Sequence, residues 1–588
     1  MRFKWMLLIC LLVSSIVKAQ QAPPVLFFSD LIFGPNTGWN NGSSQGAAVT
    51  IWGENFGATR GSSYVTIGGA QATTYAEWDA IGPARGLERI TFYIPTGASV
   101  GAGTISVTVN GVTSNTLPFT VDNTTPIYYI DVNTGNNSNN GRTTSTAFKD
   151  IWKFNPCSPG DPHHSQNCNP SMDGQYIAYV RAGTYTTLDP DGGAFVRVYG
   201  ATGGPTKQKA LIGYPGETPI LSMASSSEVI YSANFSPYGF NDYYTIAKLS
   251  TGTTTATGGN LFFDLVGNNN RIIGNISSHQ NAYAQAGVIH LNGSKYISIY
   301  GNLEDTDGQS TDRMKHGIYA KTELLGMPQD ASHDIATQHI DIGWNEFKDF
   351  FADGGWAGVI FLSKASDAGN YYTDYIYIHH NYFHGGNDVY SYVADGTNLN
   401  DHLYYYGNIF APHTQTTCIY YNIGTQQIML FNNVFYQCGS STLDYVDYTS
   451  HPTFNNNIYW PVTGGSVFTL DDLSYNPVAI SDHELFWNGT TPASSPPSLI
   501  VTNPTNGNPQ FTNAANNDFH IGSTSAARGV GNNLSSTVTT NSLPWGNYDY
   551  DGVAYPASGA WDAGALQYAT AAVVSRPNPP TNLTVTVN

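Results

Sequence analysis

Along much of this chain, apolar residues alternate with polar ones in short runs that end on asparagine. The runs 271–275, 297–302, 340–345, 376–381, 403–408, 428–433 and 453–457 each close on an Asn, at spacings of 27, 43, 36, 27, 25 and 24 residues. Period-two alternation marks short strands, and recurrence at about one turn's length marks a parallel β-solenoid with loops inserted where the gap is long. A single turn has no core of its own and buries its apolar side only against the turns above and below. The register points Ile299, Ile342, Ile378, Tyr405 and Leu430 into the coil, and the Asn residues are expected to form a ladder at a corner, bonding side-chain amide to side-chain amide.

Before residue 127 the pattern differs. The runs 48–53, 64–67, 90–94 and 104–109 alternate with Gly and Asn turns, which predicts a small antiparallel β-sandwich over 24–122. Residues 1–19, with Arg2 and Lys4 before an apolar run and a Val17-Lys18-Ala19 cleavage site, read as a secretory leader. No later stretch approaches about 18 consecutive apolar residues, so no membrane span is expected. The Pro-containing stretch 569–588 reads as a linker-like tail.

Two stretches carry family resemblances. The segment 49–57 (Val-Thr-Ile-Trp-Gly-Glu-Asn-Phe-Gly), with 65–69, Ile94-Pro95 and 107–111, resembles the IPT/TIG immunoglobulin-like family. That resemblance implies a fold; such modules commonly space or present a catalytic domain, so deletion of 24–122 is expected to leave the chemistry intact. The segments 128–132, 135–141, 148–151, 179–185 and 213–217, with 508–511, 518–520, 525–529, 549–552 and 562–565 near the far end, resemble secreted right-handed parallel β-helix proteins of the pectate-lyase-like superfamily. The fold class implied is all-β, a right-handed parallel β-helix over 127–568 behind the sandwich. The reaction stays open, because this scaffold carries lyases, hydrolases, epimerases and adhesins.

Charge narrows the partners. The chain has 23 Lys and Arg against 42 Asp and Glu, a net charge of −19. Nucleic acid is therefore not an expected ligand; the expected partner is a polysaccharide or oligosaccharide, and the protein is expected to be a monomer. Tyr, Asn, Thr and Gly are abundant where charge is scarce, a composition suited to sugar rings. In an exported protein Cys157 and Cys168 are expected to pair, while Cys418 and Cys438 are either a second pair or two buried thiols. There is no His-Glu-x-x-His, no paired Cys-x-x-Cys and no Gly-rich phosphate loop; Gly42-Ser-Ser-Gln-Gly46 matches a nucleophile elbow by letter only.

Candidate chemistry lies in the outward columns. Ser298, Asp341, Tyr377, Tyr404 and Met429 form one, with Tyr300, Gly343, His379, Tyr406 and Phe431 beside it. Tyr377, Tyr404, Tyr406, His379 and Asp341 are the expected sugar-binding residues. Three positions past each ladder Asn stand Ser278, Asp305, Lys348, His384, Ala411, Tyr436 and Trp460, so Asp, Lys and His fall on successive rungs ~4.8 Å apart. This favours a lyase cleaving a uronic-acid-containing glycan by β-elimination, with Lys348 as the base, His384 handling protons, and Asp305, Asp349 or Asp353 orienting them or holding Ca²⁺. Lys315 and His316 stand in reserve ahead of the next strand. The alternatives are a glycoside hydrolase using two of Asp305, Asp341, Asp349 and Asp353, or a non-catalytic glycan binder. The Asp-Asp and Gly-His-Gly strings of polygalacturonase-like hydrolases are not met: the lone Asp471-Asp472 lies outside the repeat.

Overall fold

The structure is a computed structural model that describes residues 22–568 except 158–167, 191–192, 199–203, 223–227, 233–240, 255–262, 280–287, 306–315, 323–335, 351–357, 365–372, 388, 394–401, 414–416, 422–426, 440, 446–451, 471–478 and 489–498. The expected leader and tail, along with Lys315 and Asp353, lie outside the described residues.

From Ile127 onward the chain winds through three long parallel sheets of 13, 12 and 10 strands, each strand pairing with its counterpart one turn later. The first sheet includes Lys295–Tyr300, Thr337–Gly343, Thr373–His379 and Leu403–Tyr406; the second includes Leu303–Asp305, Glu346–Lys348 and Tyr382–His384; the third includes Ile289–Asn292, Ile318–Thr322, Ile360–Lys364 and Ser391–Val393. The expected register holds. Ile272, Ile299, Ile342, Ile378, Tyr405, Leu430 and Phe454 pair in sequence, and all lie in the coil's interior.

The Asn ladder is continuous. Side-chain amides bond rung to rung from Asn275 through Asn302, Asn345, Asn381, Asn408 and Asn433 to Asn457 at 2.9–3.1 Å. Each Oδ1 also accepts the backbone N–H of the preceding ladder residue, and each Nδ2 also donates to a carbonyl of the first sheet, as Asn381 does to Ile342 at 2.9 Å. These bonds satisfy the backbone at a buried bend between two strands. Glu484, which accepts both the N–H and the Nδ2 of Asn457, ends the series.

Inside the second sheet a second stack forms from Phe347, Phe383, Phe410, Phe435, Tyr459 and Phe486, at centroid spacings of 4.8–5.6 Å. Glu304 occupies the same inward column one rung before Phe347. It is buried, and neither carboxyl oxygen has a hydrogen-bond partner among the described residues. Burial pushes its pKa up to about 8. A carboxyl with a raised folded pKa contributes stability that is fully present below the unfolded value of 4.5 and is lost as pH rises through about 8. Glu304→Gln should therefore flatten the fall in stability across that window; a denaturant midpoint with the same pH slope as wild type would refute this.

The N-terminal sandwich, with Val25–Ser29, Gln45–Glu54, Tyr75–Ile81 and Glu88–Pro95 in one sheet and Leu117–Val121, Gly101–Val109 and Tyr64–Ile67 in the other, does not stand apart from the coil. Its core and the outer face of the first sheet's early rungs form one apolar cluster, containing Phe27, Phe28 and Trp52 beside Tyr129, Tyr179, Ile212, Ile273 and Trp344. Buried polar contacts cross the junction as well: Lys248 pairs with Asp30 at 2.9 Å, and Arg271 donates to the carbonyls of Ser29 and Asp30 at 2.8 Å. Gly301 is glycine because its φ of +65° disfavours a side chain and a Cβ there would lie 2.5 Å from the Phe28 ring. Deletion of 24–122 would therefore bare an apolar face of the coil.

Both expected or possible cysteine pairs are disulfides, Cys157–Cys168 and Cys418–Cys438. Among the described residues no helix is long and apolar enough to cross a membrane; the α-helix Ser535–Thr540 has six residues.

Candidate functional site

The coil has three outer faces, and two of them are occupied. The sandwich covers the early rungs of the first sheet. The later rungs are covered by the closing segment, where Leu534, Val538, Leu543, Tyr555 and Trp561 pack on Tyr377, Tyr404, Tyr406 and Phe431. That segment also covers the later second sheet, with Phe519, Ile521 and Tyr550 against Tyr382, Ile409, Val434 and Ile458.

This corrects the reading of the aromatic columns as a wet face. Their register is as expected, and the rings stack: Tyr377 on Tyr404 at 5.6 Å, His379 on Tyr406 at 5.1 Å. All four are nonetheless buried, and the Tyr406 hydroxyl donates to the carbonyl of Pro544 at 2.5 Å. A sugar reaches them only if the closing segment leaves. Asp341 accepts from the Tyr300 hydroxyl at 2.6 Å and faces His379 Nε2 at 2.7 Å, and His379 Nδ1 faces His380 Nδ1 at 2.8 Å. Burial, followed by the neighbouring His379 and Arg85, holds the His380 pKa well below the ordinary imidazole value. This relay lies beneath the junction of sandwich and coil.

The Asp305, Lys348 and His384 column stands on adjacent rungs of the second sheet, as expected. Lys348 Nζ lies 2.6 Å from Asp305 and 3.5 Å from Asp349. His384 Nε2 instead faces Glu346 at 2.9 Å, a residue the sequence reading passed over. Glu346 also accepts the backbone N–H of Arg85 from the sandwich at 2.6 Å. Burial alone would raise the Glu346 pKa, but the hydrogen bond and charge of His384 and the Arg85 N–H outweigh it and leave the carboxyl below its ordinary value. Lys348 shows the same contest in reverse. Burial lowers its pKa, and Asp305 with Asp349 more than compensates, so the net shift is upward. A lysine base needs the opposite shift. Lys348 is therefore a held ammonium, and it lies where a Ca²⁺ shared by Asp305 and Asp349 would have to sit, so this donor set does not fit the metal.

The third sheet differs from the other two. Its outward column runs His290, Tyr319, Phe361, Tyr392 and Tyr420 in register. Phe361 and Tyr392, with Tyr319 and Tyr420 against them, form a cluster of their own that contains no residue of the sandwich or closing segment. Centroids lie 5.2 Å apart for His290 and Tyr319, 5.1 Å for Tyr319 and Phe361, 5.2 Å for Phe361 and Tyr392, and 4.9 Å for Tyr392 and Tyr420. His316 joins at 4.5 Å from Phe361, with Nδ1 donating to the Gly358 carbonyl at 2.8 Å. Burial pushes its pKa down to about 4, so the imidazole is neutral at pH 7. Lys321, two residues past Tyr319 on the same side, holds its ammonium 5.5 Å from the Tyr319 ring centre. The long inserted stretches 280–287, 306–315 and 351–357 lead into strands of this sheet, and 323–335, 365–372 and 394–401 follow them. Of the described residues singled out from sequence, only His316 lies here.

Comparison with known proteins places residues 33–121 in the IPT/TIG domain family. No curated protein matches the chain. Among solved structures, the catalytic domain of a GH87 alpha-1,3-glucanase in complex with tetrasaccharides aligns over 75% of this chain and 85% of that one, at 11% identity and a TM-score of 0.18, values too low to carry an argument.

Proposed function

We propose that this chain is a secreted polysaccharide-degrading enzyme that holds its glycan along the outer face of the third sheet and cleaves a uronic-acid-containing chain by β-elimination. One observation supports the reading: among the described residues, the third sheet's outward column of rings and imidazoles is joined by neither the sandwich nor the closing segment.

The chemistry required is removal of the C5 proton, formation of the C4–C5 double bond and departure of the C4 oxygen with a proton. His290, which like Phe361 and Tyr392 is buried in this state, would take the first proton once the sugar is seated, and the half-buried Tyr319 hydroxyl, one rung on, would supply the second. The Lys321 ammonium would pair with the sugar carboxylate, which makes the C5 proton more acidic without a bound metal. The tyrosines further along the column would stack on neighbouring sugars.

A second reading draws on the second-sheet cluster. Asp305 and Asp349 both lie beside the Lys348 ammonium and would be the carboxylate pair of a retaining hydrolase, which needs ~5–5.5 Å between them. The test is a panel of plant and algal polysaccharides. Ultraviolet absorbance from an unsaturated product is expected, and His290→Ala should lower turnover by ~10²- to 10⁴-fold, while Lys348→Ala keeps turnover within a few-fold of wild type. New reducing ends without that absorbance, lost in Asp305→Asn but not in His290→Ala, would establish the second reading instead.

A further inference from the structure

Sequence leaves Cys418 and Cys438 open between a bonded pair and two buried thiols, and the fold sets a third group beside them. His413 follows the second-sheet strand Ile409–Phe410, Cys418 is the second residue of the third-sheet strand Thr417–Tyr421, and Cys438 follows Val434–Tyr436 one rung on. His413 and Cys438 pair across the two rungs as an isolated parallel bridge. One imidazole nitrogen of His413 and the two sulfurs all lie within 4.8 Å of one another. All three residues are buried. No paired Cys-x-x-Cys announces this set, because its members come from two rungs and only the coil brings them together.

The surroundings are apolar. Both cysteines belong to the coil's interior with Tyr390 and Phe410, and the Tyr390 ring meets His413 edge-on at 4.6 Å. Packing alone would be served at lower cost by an aliphatic side chain, since an imidazole loses its hydration on burial. Two thiolates and a neutral imidazole around one Zn²⁺ carry no net charge, which suits an apolar corner; the same donors around Cu⁺ would keep a net negative charge there. The dimensions agree. Zinc takes sulfur at ~2.3 Å and nitrogen or oxygen at ~2.0–2.2 Å, so tetrahedral neighbours stand ~3.5–3.8 Å apart. The Cα atoms of Cys418 and Cys438 are 5.5 Å apart, near enough for both sulfurs to share one ion. The Phe410 carbonyl oxygen, 3.7 Å from Cys438 Sγ, stands at the distance of a fourth donor.

We propose that Cys418, Cys438 and His413 form a redox-gated zinc site: the oxidised corner is a disulfide, and the reduced corner binds Zn²⁺. A dithiol supplies two electrons and two protons, the Cys418–Cys438 bond breaks, and the dithiol leaves as its own disulfide. Zinc then forms two Zn–S bonds and one Zn–N bond, and the two thiol protons pass to solvent. Either state ties the same two rungs together, so the corner is held before oxidation as well as after it. The site goes beyond the glycan reading and does not depend on it.

The experiment uses the full chain with Cys10→Ser, Cys157→Ser and Cys168→Ser, so that Cys418 and Cys438 are its only cysteines. Protein prepared under a dithiol, and the same protein oxidised, are each equilibrated with Zn²⁺, gel-filtered and assayed for metal. The reduced protein should carry one zinc per chain and the oxidised protein essentially none. His413→Ala should weaken zinc binding by at least about tenfold, and the same difference is expected in the unsubstituted chain once reduced. Co²⁺ in place of zinc should give thiolate-to-metal charge-transfer absorbance in the reduced protein, which reports the sulfurs without any change at His413. A reduced chain that melts cooperatively only when zinc is supplied would support the site, and one that aggregates with and without zinc would overturn it. A reduced, folded protein that binds no zinc, zinc bound equally by the oxidised protein, or wild-type affinity in a folded His413→Ala chain would each overturn it as well.

Discussion

A chain lacking residues 22–122 should fail to give a soluble coil with a cooperative melt, and Trp344→Ala in the full chain should lower stability by ~3–5 kcal/mol. Trp344 is on the coil, fully buried, and touches the sandwich through Phe27 at 5.2 Å and Phe28 at 5.5 Å. Trp545 of the closing segment reaches it at 5.4 Å. Truncation to Ala removes the ring that three parts of the molecule share, and none of them can collapse into the void without moving a sheet. Deleting the sandwich goes further. It exposes Tyr129, Tyr179, Ile212 and Ile273 together and leaves the buried charges of Lys248 and Arg271 without their partners. An isolated 123–588 fragment that is soluble, monomeric and melts at the wild-type temperature would show that the junction contributes nothing to the fold.

Asn381→Ala should be nearly as damaging, at ~2–4 kcal/mol by chemical denaturation. The Asn381 amide makes four hydrogen bonds inside the ladder. It accepts from the N–H and Nδ2 of Asn345 at 2.9 and 3.0 Å, and donates to Asn408 Oδ1 at 3.1 Å and to the Ile342 carbonyl at 2.9 Å. Alanine leaves buried donors and an acceptor unpaired on both adjoining rungs, where no water reaches them. Asn381→Asp keeps the two accepted bonds but turns a charged oxygen toward Asn408 Oδ1 and the Ile342 carbonyl, so it should be worse than alanine at neutral pH. Equal stability of Asp and Asn at this position would mean that the ladder is not one directed series.

The first sheet was legible in the sequence because each rung carries its own marker. The Asn fixes the phase of the strand before it, and phase alone decides which residues face inward. The second sheet follows within a few residues, so Asp305, Lys348 and His384 fell on adjacent rungs as read. Whether an outward residue meets water is another matter. Alternation separates the inside of the coil from the outside, but Tyr377 and Tyr406 pack against residues 534–561, and nothing local records that. The partner that gives Glu346 its meaning, Arg85, lies 261 residues away. The third sheet escaped notice because insertions of different length separate its strands from the Asn markers. His290 and Tyr319 are one rung apart, yet no fixed spacing joins them to the repeat.

Coils of this kind couple each turn only to its neighbours, so they can fray from either end and propagate order from any point. Here the Arg85 guanidinium donates to the Tyr550 carbonyl across 465 residues and to the His380 carbonyl across 295, at 2.7 and 2.8 Å. The sandwich and the closing segment are thus fastened to each other over the middle of the coil. Contacts of such sequence separation form late, because the loop they close is nearly the whole chain. A polypeptide emerging N-terminus first must carry an incomplete sandwich face until its last segment arrives, and is exposed to misassociation for that interval. Once fastened, the middle of the coil is held by both flanking segments, so unwinding turn by turn must stop there until the Arg85 contacts break.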